Sequence, residues 1–96
     1  MEIIHLEKED FNSLIKDKVL VDFYANWCGP CKMLGPVLEK VESDIKVIKV
    51  DVDAFEDLAR EYGVMSIPTI ILFNEGKEIK RNIGFIDKER LEKFLD

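Results

Sequence analysis

Apolar positions along the chain switch repeatedly between a strand-like and a helix-like spacing. Glu2–Leu6 is a plausible first strand, and Phe11, Leu14 and Ile15 then give the i, i+3, i+4 spacing of a helix. Val19–Ala25 is a nearly continuous apolar run, which predicts a strand buried on both faces of a parallel sheet. From Cys28 the helical period returns, with Leu34, Val37, Leu38 and Val41 on one face. Pro36 falls inside this helix, where it removes one backbone hydrogen bond and is expected to kink it. Ile45–Val52 is the third strand. Asp53 as N-cap, with Glu56 three residues on, predicts a helix reaching Tyr62 and stopped by Gly63. Thr69–Asn74 and Glu78–Gly84 are two further strands separated only by Glu75-Gly76-Lys77, so they should form an antiparallel hairpin. Asp87 is the N-cap of the last helix, and Ile86 and Leu91 have the spacing of a hydrophobic staple across its start.

The resulting order is β-α-β-α-β-α-β-β-α. Strand-helix-strand units demand right-handed crossovers and a parallel core, to which the hairpin adds an antiparallel edge. The expected fold is therefore a three-layer α/β/α sandwich around a mixed five-stranded sheet, one domain over residues 1–96. The second helix begins at the carboxyl end of a central strand, where open α/β sheets place their sites.

Composition narrows the function classes. The chain is 47% apolar and 35% charged, as expected of a soluble globular protein with one core. Its 14 Lys and Arg are dispersed among 20 Asp and Glu, for a net charge of -6. No basic stripe suits a nucleic acid, and no apolar stretch is long enough to span a membrane. The N-terminal residues lack the pattern of a signal peptide, so a cytoplasmic location is expected unless a leader has been removed. In that compartment thiols are kept reduced, and two cysteines are not expected to be a structural staple. They are also too few for a structural zinc site; the single histidine, His5, is far away in sequence and is expected to be a strand residue. A metal shared between two chains stays open.

Cys28 and Cys31 lie three positions apart in Trp27-Cys28-Gly29-Pro30-Cys31, at the first turn of a helix. Such a pair can close a small disulfide ring with little backbone movement. The helix start offers unpaired N–H groups and a positive dipole end, which favour a thiolate over a thiol. Cys28 is nearest those groups and is expected to be the more exposed, so it should attack; Cys31, one turn in, should be shielded and resolve. Buried or zinc-binding cysteines are the plain alternative, but the strand-to-helix position favours a redox pair.

Trp27-Cys28-Gly29-Pro30-Cys31-Lys32, preceded by Val21-Asp22-Phe23-Tyr24-Ala25, resembles the active-site signature of the thioredoxin family. Pro36, the pair Asp51 and Asp53, Ile67-Pro68-Thr69, Gly76 and Gly84 match in family order and spacing, so the resemblance covers essentially the whole chain. The Gly29-Pro30 pair is the one typical of reducing thioredoxins. Two departures stand out: Tyr24 occupies the place of a second tryptophan, and Phe85 follows Gly84 where a small or polar residue is common. The chain is also short at both ends for the family.

Several supporting residues follow. Asp22 interrupts an apolar strand, and its burial should raise its pKa. Read alone it is either a proton partner for Cys31 or a carboxylate satisfied by backbone groups; the resemblance implies the first. The resemblance also implies that Lys49 modulates the same proton equilibrium, the alternative being a lysine whose stem packs while its ammonium reaches water. It implies a cis bond before Pro68, opposite the cysteines, leaving the backbone of Ile67 free to pair with an extended substrate segment. Gly84 would permit close approach from the other side. Trp27, Ile67, Pro68 and Phe85 would form an apolar rim around Cys28, although a lone tryptophan such as Trp27 is more usually core.

The combined reading is a protein-disulfide reductase. The Cys28 thiolate attacks a substrate disulfide, a mixed disulfide forms, and Cys31 releases the reduced product. The resemblance implies no bound cofactor, a thioredoxin reductase as electron donor, a monomeric protein, and disulfide-containing substrate proteins such as ribonucleotide reductase, peroxiredoxins and methionine sulfoxide reductases. Three rivals remain: a glutaredoxin-like or isomerase-like enzyme with a private partner, a redox-gated binding module, and a zinc-bridged dimer.

Overall fold

The computed structural model describes residues 1–96. Its elements run β1 (Ile3–His5), α1 (Phe11–Leu14), β2 (Val19–Tyr24), α2 (Gly29–Lys40), β3 (Lys46–Asp51), α3 (Glu56–Glu61), β4 (Thr69–Asn74), β5 (Lys77–Ile83) and α4 (Lys88–Phe94). The strands form one sheet in the order β1-β3-β2-β4-β5. β1, β3 and β2 are parallel; β4 runs antiparallel to β2 and pairs antiparallel with β5.

Strand alternation sorts the core into two layers. Val19, Val21 and Phe23 of β2, with Ile48 and Val50 of β3, pack on Phe11 of α1 and Ala59 of α3. Leu20 of β2 and Val47 of β3 face the other way, onto Leu34 and Leu38 of α2 and Leu91 of α4. Both faces of β2 are therefore dry, which is why its sequence reads as an unbroken apolar run. Asp22 shares the parity of Leu20, and Lys49 that of Val47. Both thus belong to the α2 side of the sheet, directly paired in register.

β4 departs from a purely parallel core. The segment after α3 carries the chain back so that β4 begins at the carboxyl end of β2, with Thr69 opposite Phe23. Pro68 is thereby delivered to the same end of the sheet as the start of α2.

Three local expectations are corrected. Asp53 does not cap α3: the N-cap is Phe55, with no side-chain hydrogen bond. The Asp53 amide instead donates to Asp51 Oδ1 at 2.9 Å, and the amides of Ala54 and Phe55 donate to the Asp51 carbonyl. A turn built on Asp51 thus consumes the residues expected to start the helix. The β4–β5 connection is the two-residue turn Glu75-Gly76, with Lys77 already paired to Asn74. Both central residues have positive φ (55° and 79°), as the tight hairpin turn requires. β5 correspondingly ends at Ile83, and Gly84 lies beyond it. The Asp87 cap stands, accepting the Arg90 amide at 2.9 Å, and Ile86 and Leu91 are buried in one cluster. Pro36 lies inside α2.

Candidate active site

The site is assembled where β2 hands over to α2. The strand ends at Tyr24, and the Cys28 amide donates back to the Ala25 carbonyl at 3.3 Å. Cys28 is itself the N-cap of α2, with Gly29 and Pro30 opening the first turn. Proline suits that position because its missing N–H has no intrahelical partner there. Cys28 Sγ accepts the Cys31 amide at 3.2 Å, so one unpaired N–H of the helix start is aimed at this sulfur.

Cys28 and Cys31 are joined as a disulfide, with Cα atoms 5.2 Å apart. The exposure expected to separate them is not found: they are 5% and 4% accessible. Both pack with Ala25, against Tyr24, Val52 and Ile67. The asymmetry lies in position, since only Cys28 occupies the cap.

Two segments close the site from the β4 side. The Ile67–Pro68 bond is cis, Pro68 is buried, and the Ile67 carbonyl oxygen lies 3.8 Å from Cys28 Sγ. Thr69 Oγ1 donates to the Ser66 carbonyl at 2.6 Å, anchoring this loop. The Gly84 amide donates to the Pro68 carbonyl at 2.8 Å, and its φ of +96° is what calls for glycine there. Trp27 is 69% exposed and Phe85 43%, so these two expected rim residues lie at the surface and Trp27 is not core, while Ile67 is half-buried and Pro68 buried.

Sequence reasoning missed the grip on Trp27. Its indole Nε1–H donates to Asp53 Oδ2 at 2.9 Å, and Asn26 Nδ2 lies 3.5 Å from Asp51 Oδ2. The available signal was a pair of carboxylates, Asp51 as the last residue of β3 and Asp53 just past it, at the end of the sheet that carries Cys28.

Asp22 is almost inaccessible, and neither carboxylate oxygen has a hydrogen-bond partner. No backbone group donates to it. Its nearest counter-charge is Lys49 Nζ, 3.8 Å from Oδ2. Burial pushes the Asp22 carboxyl up to about 6, and the Lys49 ammonium only partly opposes it. Lys49 Nζ also lies 4.5 Å from the centre of the Tyr24 ring. Lys49 and Cys31 line one small cleft of about 130 Å³ with Tyr24, Ala25, Asn26 and Lys32, which connects the Asp22 counter-ion to the second cysteine. No helix is long and apolar enough to cross a membrane.

A family model described as Thioredoxin matches residues 2–96. A thioredoxin of Mycoplasmoides gallisepticum is 53% identical over 81 residues, covering 81% of each chain. A mutant thioredoxin from Halobacterium salinarum superposes with a TM-score of 0.91 at 37% identity, covering 98% of this chain and 88% of that one. A chain from a structure on thiol resolution in yeast mitochondrial 1-Cys peroxiredoxin via glutathione/thioredoxin systems gives 0.84 at 39% identity, covering 97% and 92%.

Proposed function

For this chain, which belongs to the thioredoxin family and is a thiol–disulfide oxidoreductase working through Cys28 and Cys31, we propose a division of labour among the site residues. Cys28 is the attacking thiol. The observation that carries this assignment is its sulfur at the N-cap of α2, accepting the Cys31 amide, a position that stabilises a thiolate. The reduced Cys28 thiolate attacks one sulfur of a substrate disulfide and expels the other as a thiolate. The Cys31 thiolate then attacks Cys28 Sγ, forming the Cys28–Cys31 bond and releasing the second substrate thiolate. Two electrons pass from the protein to the substrate.

Cys31 must lose a proton to resolve the mixed disulfide. Asp22 is the acceptor: it is buried on the α2 side, without hydrogen-bond partners, and burial raises its carboxyl to about 6. Lys49 tunes it from 3.8 Å. Trp27, Gly29, Pro30, Ile67, Pro68, Gly84 and Phe85 form the surface that receives the substrate, an extended segment pairing with the backbone at Ile67. A thioredoxin reductase supplies the electrons, and disulfide-bearing proteins, peroxiredoxins among them, receive them. The likeness to a chain from a structure on thiol resolution in a yeast 1-Cys peroxiredoxin via glutathione/thioredoxin systems supports that last class. The chain acts as a cytoplasmic monomer, one domain over residues 1–96.

Trapping tests the assignment. Cys31→Ser should accumulate covalent complexes through Cys28, identifiable by mass spectrometry and released by dithiothreitol. Accumulation in Cys28→Ser instead would reverse the two roles.

A further inference from the structure

Lysine carries a flexible four-carbon stem and a strongly hydrated ammonium, so a lysine beside open solvent is not held in place by charge alone. Lys49 is such a case. Its side chain is 15% exposed, it lines the open cleft beside Cys31, and its Nζ stands 3.8 Å from Asp22, too far for a hydrogen bond to fix it. What lies over the ammonium is the ring of Tyr24, with its centre 4.5 Å away. Tyr24 and Asp22 are two residues apart on β2 and project to the same face. Lys49 is paired with Asp22 across the strand gap, so ring and carboxylate flank one cation.

We infer that Tyr24 is a positioning residue of the redox site, its ring holding the Lys49 ammonium against the Asp22 carboxylate. This rests on the reading of Asp22 as the proton acceptor for its catalytic consequence, but not for its geometry. The other titratable or charged groups around Lys49 are His5, paired with it from β1, Asp51 two residues on in β3, and Lys32 and Cys31 from α2. None of these has an ion pair or hydrogen bond to Lys49. With the ring removed, the ammonium is free to turn into the cleft, and Asp22 loses its one near counter-charge.

The experiment is a pH titration of the Asp22 carboxyl carbon by NMR in the oxidised protein. Tyr24→Leu should raise the Asp22 midpoint by about one pH unit, as loss of an adjacent opposite charge does. Tyr24→Phe, which keeps the ring and drops the hydroxyl, should leave it within about 0.3 unit. In a Lys49→Met background Tyr24→Leu should have no further effect. Equal movement by Leu and Phe, no movement by either, or a Leu effect that persists without Lys49 would overturn the inference. Should Tyr24→Leu fail to fold, Tyr24→Met replaces it, filling the space with a flexible chain that has no aromatic face. The pH–rate profile of disulfide reduction reports separately. If Asp22→Asn leaves its acid limb unchanged, the proton-acceptor reading fails while the titration still decides the role of Tyr24.

Discussion

The indole N–H of Trp27 donates to the carboxylate of Asp53 at 2.9 Å, tying the residue before Cys28 to the turn that follows β3. Trp27 is the only tryptophan in the chain, so the tryptophan fluorescence comes from this ring alone. Both partners are exposed, and the bond contributes no more than about 1 kcal/mol to stability. Asp53→Ala should leave the unfolding midpoint nearly unchanged, yet lower the anisotropy of Trp27 and raise its quenching by acrylamide. Reduction of a protein disulfide should slow roughly 3- to 10-fold, the effect of a loosened docking residue costing about 1 kcal/mol. Unaltered quenching would mean that Asp53 does not hold the ring.

Asp22 links the site to pH-dependent stability. In the folded protein its carboxyl holds a proton up to about pH 6, whereas the ordinary value is 3.8. Between these values the folded state binds more protons than the unfolded state, so stability falls as pH rises through the window and levels off above it. The gap is worth about 3 kcal/mol. Asp22→Asn should abolish this dependence: relative to wild type, the variant gains roughly 2–3 kcal/mol on going from pH 4 to pH 7.5, part of the gap lying below pH 4. Denaturant unfolding of both proteins at the two pH values measures it. Parallel curves would place the Asp22 titration elsewhere.

Much of this arrangement was legible because it is written in local chemistry. The unbroken run of β2 reflects apolar contacts on both faces, and Asp22 stood out as a charge inside it. Asp87 read correctly as a cap because nothing else competes for it. Asp53 misread for the opposite reason: its sequence context is that of a cap, but Asp51 captures the local amides and Trp27, 26 positions away, takes the side chain. The equal burial of the two cysteines was likewise illegible, since Ile67 and Val52, which pack on them, arrive from distant strands and loops. The antiparallel entry of β4, which brings Pro68 to the cysteines, depends on a non-local pairing that no spacing announces.

Gly84 joins backbone conformation to substrate geometry. Its φ of +96° strains any residue with a Cβ, although an added Cβ would meet no atom within 4 Å. The cost of Gly84→Ala is therefore conformational, about 1–3 kcal/mol. For a domain of this size that lowers the melting temperature by roughly 4–24 °C. Because the Gly84 amide donates to the Pro68 carbonyl, the variant should also lose activity on protein disulfides more than on a small aromatic disulfide reagent. Equal losses on both substrates would place the effect at the sulfurs and not at the receiving surface.

Phe85 is the place where partner choice should be altered without touching the chemistry. Its ring is 43% exposed immediately after Gly84, so it adds apolar surface to the rim beside Pro68 and contributes little to the core. Removing it costs the protein little stability but takes away an anchor that an apolar substrate segment would cover. Contacts of this kind act on ground and transition states alike, which raises KM and leaves kcat in place. Phe85→Ser should thus raise KM for a protein disulfide flanked by apolar residues roughly 3- to 10-fold, about 1 kcal/mol of lost burial. For a disulfide flanked by polar residues the change should be smaller than about twofold. Steady-state kinetics on the two substrates decides it: equal effects on both would mean that Phe85 shapes the fold of the loop and does not read the substrate.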